Sequence, residues 1–140
     1  MSKVCILGSG SMGTALAHLI GGNGHKVVIW SIDKEAAEHI NTNHENKKFL
    51  PGVSLNKNVS ASLILPLALA DASVVIVALP TQVVNQVMPA LHNHTAKDAV
   101  ILSVSKGIDV KSGQTVSQII KSILPEVRHK NIAALMGPLF

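Results

Sequence analysis

The 140-residue sequence has few aromatic and few charged side chains. It contains no tyrosine, 2% of its residues are aromatic and 14% are charged, whereas 47% are hydrophobic. A core must therefore be built mainly from Val, Ile, Leu and Ala. This composition is typical of a sheet buried on both faces by helices, in which the strands read as continuous apolar runs. The length suits one domain, and we expect residues 1–140 to form it.

Cysteines and long apolar runs are also scarce. Cys5 is the single cysteine, which excludes an intramolecular disulfide and fits a reducing compartment. No apolar run approaches the roughly 20 residues that cross a bilayer. Glycines interrupt the first apolar stretch too early for a signal peptide. We therefore expect a cytoplasmic protein that is not inserted in a membrane.

The charge pattern gives little support to nucleic-acid or metal binding. The net charge of +4 is scattered along the chain, and Lys47-Lys48 is its short basic pair. Without an arginine-rich run interleaved with aromatics, we expect no nucleic-acid partner, whereas a mildly basic surface suits phosphorylated ligands. Neither cysteines nor paired carboxylates accompany the seven histidines at ligand spacing, so we expect no metal site.

Strand and helix patterns alternate along the whole chain. Apolar runs predict strands at 4–7, 27–30, 73–79, 99–103 and 132–136, and helical periodicity follows at 14–20, 34–40, 83–91 and 116–124. A short helix is predicted within 63–70, and the polar stretch 41–58 is expected to be a loop. This alternation predicts an α/β fold with a Rossmann-type, doubly wound and mainly parallel sheet.

The first predicted strand and helix enclose a glycine-rich turn, Gly8-Ser9-Gly10-Ser11-Met12-Gly13. Strand, G-x-G-x-x-G and helix together form the dinucleotide-binding fingerprint. Gly8 allows the tight turn, Gly10 lets the backbone approach a pyrophosphate, and Gly13 lets the helix pack closely on the sheet. The N–H groups at the positive end of the helix dipole then face the phosphates. We expect Gly8, Gly10 and Gly13 to bind a dinucleotide.

Asp33 lies twenty residues beyond Gly13, at the end of the second predicted strand. An acidic side chain there can accept hydrogen bonds from the hydroxyls of the adenosine ribose. Asp is also a favoured N-cap, so Asp33 could instead start the helix that follows. The sequence leaves both interpretations open.

Three other positions follow predicted strands, where ligands of such sheets bind. Pro80 ends one strand and could lie against the cofactor or simply form a turn. Lys106 ends the next strand and could place a positive charge on a substrate phosphate or a developing alkoxide, although most lysines are solvated surface residues. Gly137 follows the last strand, in a turn or at a ligand.

These residues and the segments around them resemble the N-terminal half of the bacterial NAD(P)-dependent glycerol-3-phosphate dehydrogenases. The segments follow one another in the same order as in that family. The segments are Gly8-Ser9-Gly10-Ser11-Met12-Gly13-Thr14-Ala15-Leu16-Ala17, Asn23-Gly24-His25, Val28-Ile29-Trp30, Glu45-Asn46, Phe49-Leu50-Pro51-Gly52, Val77-Ala78-Leu79-Pro80, Ser105-Lys106-Gly107-Ile108 and Gly137-Pro138. The resemblance implies reversible reduction of dihydroxyacetone phosphate to sn-glycerol 3-phosphate, which feeds glycerophospholipid synthesis.

The resemblance also implies roles for individual residues. Ser11, Met12 and Phe49 would contact the cofactor, Lys106 would contact both cofactor and substrate, and Gly137 would contact the substrate through its backbone. Leu139 replaces a small hydroxyl residue that is expected at the substrate.

One departure bears on the cofactor, which the resemblance implies to be NAD or NADP. Ile32 stands where an arginine usually helps to hold the 2′-phosphate of NADP, and Asp33 would repel that phosphate. Both residues favour NAD slightly.

The family's chain continues into a helical domain with a second, proton-transferring lysine, which is not found in these 140 residues. We expect the isolated chain not to turn over, and an apolar face left uncovered would favour self-association, such as a homodimer. Two alternatives stay open: another two-domain dehydrogenase, of the 6-phosphogluconate or ketopantoate reductase type, and a non-catalytic nucleotide-binding module.

Overall fold

The computed structural model describes residues 2–135, which fold as alternating strands and helices. The strands are β1 (Lys3–Leu7), β2 (Lys26–Trp30), β3 (Val59–Ser62), β4 (Val74–Val77), β5 (Val100–Ser103) and β6 (Ile132–Ala134). The helices are α1 (Ser11–Gly22), α2 (Lys34–Asn43), α3 (Leu65–Leu69), α4 (Thr81–His94) and α5 (Val116–Ile123), and a 3-10 helix spans Glu126–Asn131. Within the described residues, none of the helices is both long and apolar enough to cross a bilayer.

The strands form one parallel sheet in the order β3-β2-β1-β4-β5-β6. The chain moves outward from β1 to β3, crosses back, and moves outward again from β4 to β6. This is the doubly wound order of dinucleotide-binding sheets. The predicted Rossmann-type fold is confirmed.

Alternate strand residues supply two cores, one on each face of the sheet. On β1, Val4 and Ile6 pack on the face covered by α1 and α2, whereas Cys5 and Leu7 pack on the face covered by α3, α4 and α5. Both sets are buried, which explains why the strand reads as a continuous apolar run. Full burial of each such aliphatic side chain contributes about 1.5–3 kcal/mol.

Two expectations for residues 41–62 were wrong. α2 continues to Asn43, so the predicted loop begins later, and Val59–Ser62 forms an edge strand for which no strand was predicted. The Asn41 carboxamide donates to the Ala61 carbonyl at 2.9 Å and accepts from the Ala61 N–H at 2.8 Å. This side chain satisfies the backbone of an edge strand that has little apolar sequence of its own.

The other predicted elements are present with shifted ends. The predicted strand 73–79 ends at Val77, because Pro80 is the N-cap of α4 and Ala78 and Leu79 lead into that cap. The last strand is Ile132–Ala134, and Met136 lies outside the described residues.

Candidate functional site

A cleft of about 540 Å³ opens at the carboxyl end of the sheet, beside β1 and β4. Strand order reverses between these two strands, and ligands of doubly wound sheets bind at that point. The volume lies within the usual range of small-molecule sites. The cleft is lined by Gly8, Ser9, Gly10, Ser11, Met12, Gly13, Ile32, Asp33, Phe49, Ala78, Leu79, Pro80, Val104, Ser105 and Lys106.

The cleft brings together all nine residues that were predicted from the sequence to contact a cofactor. They are Gly8, Gly10, Ser11, Met12, Gly13, Asp33, Phe49, Pro80 and Lys106. The predicted substrate residues Gly137 and Leu139 lie outside the described residues.

Two of the three motif glycines are required by the protein's own packing. Gly8 has a φ of +119°, and a Cβ there would lie 2.5 Å from the Ala78 carbonyl oxygen. A Cβ on Gly13 would lie 2.3 Å from the Gly8 carbonyl oxygen. Neither backbone oxygen can move far, so any side chain at these positions would displace the loop from the sheet.

Gly10 is different, because a Cβ there would meet no atom of residues 2–135 within 4 Å. The backbone at Gly10 therefore faces the open cleft. Gly10 is also the N-cap of α1 and offers no capping side chain, and the first turn of α1 carries no acidic residue. The N–H groups at this helix start are available to an anion, so the loop fits the pyrophosphate of a dinucleotide.

A buried polar network holds the glycine loop in place. The hydroxyls of Ser9 and Ser31 lie 2.7 Å apart and connect the loop to the end of β2. The Asn46 carboxamide is fully buried and donates to the Ser9 carbonyl and to the Thr14 hydroxyl, both at 2.9 Å. Sequence reasoning did not find these supports, since only the family segment Glu45-Asn46 pointed to this region.

Phe49 reaches the cleft because its segment is attached to the same loop. The Phe49 N–H donates to the Asn46 side-chain oxygen at 3.3 Å, and the Ser11 hydroxyl donates to the Phe49 carbonyl at 2.7 Å. An aromatic ring is thus held at the mouth of the glycine loop, although the two segments are almost forty residues apart.

Asp33 forms the helix cap and also lines the cleft. Its Oδ1 accepts from the Ala36 N–H at 3.1 Å, and its Oδ2 accepts from the Lys48 ammonium at 2.8 Å. The hydrogen bond from Lys48, reinforced by that from Ala36, lowers the pKa of the Asp33 carboxyl, and the same pairing raises the pKa of Lys48. The cap is therefore formed, while the carboxylate still faces the cleft. Sequence reasoning missed Lys48, which pairs with Asp33 only through folding.

Lys106 lies at the end of β5 on a segment tied to its neighbours. The Ser105 hydroxyl lies 3.1 Å from the Val77 carbonyl and 2.7 Å from the Leu79 carbonyl, and the Thr81 hydroxyl donates to the Lys106 carbonyl at 2.9 Å. Lys106 also lines a second cleft of about 350 Å³, together with Gly107, Ile108 and Thr115. Ser105 and Lys106 line both clefts, so this segment lies where the two clefts meet.

The histidines do not form a metal centre in the part of the chain that the structure describes. Among residues 2–135, no three His, Cys, Asp or Glu side chains come together as a ligand set.

Residues 3–140 match the family described as NAD-dependent glycerol-3-phosphate dehydrogenase N-terminus. Glycerol-3-phosphate dehydrogenase (NAD(P)+) of Geobacter sp. (strain M21) is 39% identical over 138 residues, which are 99% of this chain and 41% of that relative. The chain thus spans about two fifths of the length of the curated relatives it matches.

Two solved glycerol-3-phosphate dehydrogenases share the fold. The Coxiella burnetii protein has a TM-score of 0.81 over 88% of this chain and 38% of that chain, at 23% identity, which shows the fold alone. The Saccharomyces cerevisiae protein has a TM-score of 0.78 over 88% of this chain and 39% of that chain, at 30% identity. The family match extends over almost the whole sequence, which sets aside the other two-domain dehydrogenases considered above. This chain belongs to the NAD-dependent glycerol-3-phosphate dehydrogenase family and matches its N-terminal portion.

Proposed function

We propose that this chain binds NAD or NADP in the 540 Å³ cleft and so serves as the cofactor-binding domain of a glycerol-3-phosphate dehydrogenase. The proposed reaction is reversible reduction of dihydroxyacetone phosphate to sn-glycerol 3-phosphate. The observation that carries the proposal is the open space at Gly10, between two glycines that the protein's own packing requires. The packing of the protein gives no reason for glycine at that position, whereas the close approach of a pyrophosphate to the backbone does.

The residues of the cleft have separate tasks in this proposal. The N–H groups at the start of α1 bind the pyrophosphate, and Ser11, Met12 and Phe49 border it. Pro80 and Leu79 line the opposite wall with apolar surface, which excludes water from the reacting end of the cleft. When bound, the nicotinamide cofactor donates or accepts the hydride.

Lys106 is the residue proposed to act on the substrate as well as on the cofactor. Its position between the two clefts lets one ammonium face the cofactor site and the second cleft, where a small phosphorylated substrate would lie. A fixed positive charge there stabilises negative charge that develops on the carbonyl oxygen during hydride transfer. Gly137 and Leu139 remain the proposed substrate contacts beyond the described residues.

We propose that NADH binds at least as tightly as NADPH. Ile32 lines the cleft with 69% of its surface exposed and offers no charge to a 2′-phosphate. Asp33 presents a carboxylate at the same end, where ribose hydroxyls can donate to it.

The setting proposed for the protein is the cytoplasm, in glycerophospholipid synthesis. The single cysteine, Cys5, is buried and free, which fits a reducing compartment. A homodimer is proposed on the basis of exposed apolar surface on the loop after β5, where Val110 is 82% exposed.

The experiment compares NADH and NADPH binding to the purified chain with binding to Gly10→Ala. A methyl group at Gly10 occupies only the cleft, so the variant should fold normally and bind the cofactor at least about tenfold more weakly. Gly22→Ala is the matched control, since a Cβ there has its nearest neighbour at 4.0 Å and lies at the far end of α1. Absence of binding by the unmodified chain, or equal binding by Gly10→Ala, would refute the proposal.

A second titration separates a dehydrogenase domain from a nucleotide-binding module without a substrate. With the chain saturated by NADH, dihydroxyacetone phosphate is added and its binding is followed by calorimetry, alongside a turnover assay. Cofactor binding without turnover agrees with the cofactor-binding domain alone. Substrate binding that Lys106→Met weakens supports the dehydrogenase, whereas substrate binding that Lys106→Met leaves unchanged would contradict the role proposed for Lys106.

A further inference from the structure

Lys48 pairs with Asp33, which lines the end of the cleft where the fingerprint places the adenosine ribose. Its ammonium is 2.8 Å from Asp33 Oδ2, and Asp33 follows β2, as the ribose-binding carboxylate does in this fold. The Lys48 side chain is 61% exposed, so it can reach a ligand without being unpacked from the core.

We propose that Lys48 is a specificity-determining residue that provides the cation for the 2′-phosphate of NADP. The inference rests on the proposed cofactor function and deepens it. The arginine that Ile32 replaces would have come from the end of β2, whereas Lys48 approaches the same place from the segment after α2.

The Asp33 carboxylate is already engaged by the chain. One oxygen accepts from the Ala36 N–H and the other from Lys48, so its charge is partly neutralised before any ligand arrives. Glu35, in the first turn of α2, adds a second negative charge near Lys48. Without Lys48, this end of the cleft would be acidic and would repel a phosphate.

One ammonium can serve both the carboxylate and a phosphate. Lysine has three N–H donors, of which Asp33 takes one. With NAD, Lys48 stays on Asp33 and the ribose hydroxyls donate to the remaining carboxylate lone pairs. With NADP, the same ammonium also donates to the 2′-phosphate and bridges two negative groups.

The Lys48 ammonium is held near the cleft by its own segment. It lies 5.3 Å from the centroid of the Phe49 ring, a distance at which a cation is attracted to the ring face. Asn46 and Ser11 fix the backbone of Phe49 through hydrogen bonds, so the cation is placed by the same contacts that place the ring.

The test is the ratio of the NADPH and NADH dissociation constants for the unmodified chain and four variants. Lys48→Met should weaken NADPH binding by about tenfold, the scale of one hydrogen bond between charged groups. NADH binding should change by less than about twofold, since an exposed charge acts weakly on neutral hydroxyls. Asp33→Asn, which retains a favoured N-cap residue, should release Lys48 and improve NADPH binding relative to NADH.

Lys47→Met is the matched control, because it removes the same charge from the neighbouring exposed lysine. Lys48→Arg should keep NADPH binding close to that of the unmodified chain. The inference is overturned if Lys48→Met weakens both cofactors equally, or if Lys47→Met weakens NADPH binding as much. If the unmodified chain binds neither cofactor, the proposed function fails first and this inference fails with it.

Discussion

At the scale of single residues, the glycines of one motif are required for different reasons. Gly8 and Gly13 approach backbone oxygens of the protein, whereas Gly10 approaches only the cleft. A sequence pattern cannot separate these cases, because the letter G is the same in each. The separation matters for mutagenesis, since Gly10 can be changed to probe binding while the other two also probe folding.

Ile32→Arg should shift cofactor binding towards NADPH. Ile32 lines the cleft and is 69% exposed, so the longer side chain fits without unpacking the core. A new guanidinium beside the ribose should tighten NADPH binding by about tenfold and leave NADH binding nearly unchanged. Fluorescence titration with both reduced cofactors measures the ratio, with Ile32→Met as an uncharged control. An unchanged ratio would mean that the 2′-phosphate does not lie beside residue 32.

We expect Cys5 to be chemically inert in the folded chain. We also expect the free energy of unfolding to fall at alkaline pH because of this buried thiol. Burial raises the pKa of its thiol from 9.0 to about 12. The folded state thus keeps its proton after the unfolded state has lost it, so the free energy of unfolding falls as the pH rises above the ordinary thiol value. The loss is at most about 1.4 kcal/mol per pH unit between the two pKa values.

Urea unfolding at pH 8 and pH 10, compared between the native chain and Cys5→Ala, measures this dependence. Both chains keep every other titrating group, so a change with pH in the difference between their free energies of unfolding is due to Cys5. Rapid labelling of Cys5 by a thiol reagent without prior unfolding would contradict its burial.

At the scale of elements, the segment from Asn46 to Leu50 is held against the glycine loop through one buried carboxamide. Asn46→Ala removes two donated hydrogen bonds and leaves the Ser9 carbonyl and Thr14 hydroxyl without this partner. The free energy of unfolding should fall by about 2–4 kcal/mol, as for other buried polar groups. Urea denaturation measures the loss, and cofactor titration should show weaker binding, because Phe49 is no longer held.

Asn41→Ala is the comparison, since its carboxamide bonds to the exposed edge of β3 and not to the cleft. It should reduce stability by less and leave cofactor affinity unchanged. If Asn41→Ala weakened cofactor binding as much as Asn46→Ala, a specific role of Asn46 in holding the cofactor site would be contradicted.

The elements also show which parts of the fold follow from sequence. β1 and the core of β4 are continuous apolar runs, which bury both faces and can be recognised locally. β3 is Val-Ser-Ala-Ser, and its conformation depends on pairing with β2 and on the Asn41 side chain. A strand that is stabilised mainly by distant partners leaves little periodicity to read.

At the scale of the whole molecule, apolar side chains are exposed on the loop after β5. Val110 and Ile108 are 82% and 57% exposed. We expect the chain to self-associate as its concentration rises, because burying this surface removes apolar area from water. Sedimentation velocity over a range of concentrations measures the association. Val110→Lys should weaken it, whereas Leu19→Lys, at an exposed position of α1, should not. A chain that stays monomeric throughout would contradict this expectation.

The sequence by itself determined the alternation of strands and helices, the presence of the glycine fingerprint and the family to which the chain belongs. These depend on the periodicity of apolar residues and on glycines within a few positions, which are local properties. Tertiary structure alone decided that Lys48 neutralises Asp33, that Asn46 supports the glycine loop and that Lys106 lies between two clefts. The physical reason is that hydrogen bonds and ion pairs need their atoms within a few ångströms, and only the folded sheet brings such distant segments that close.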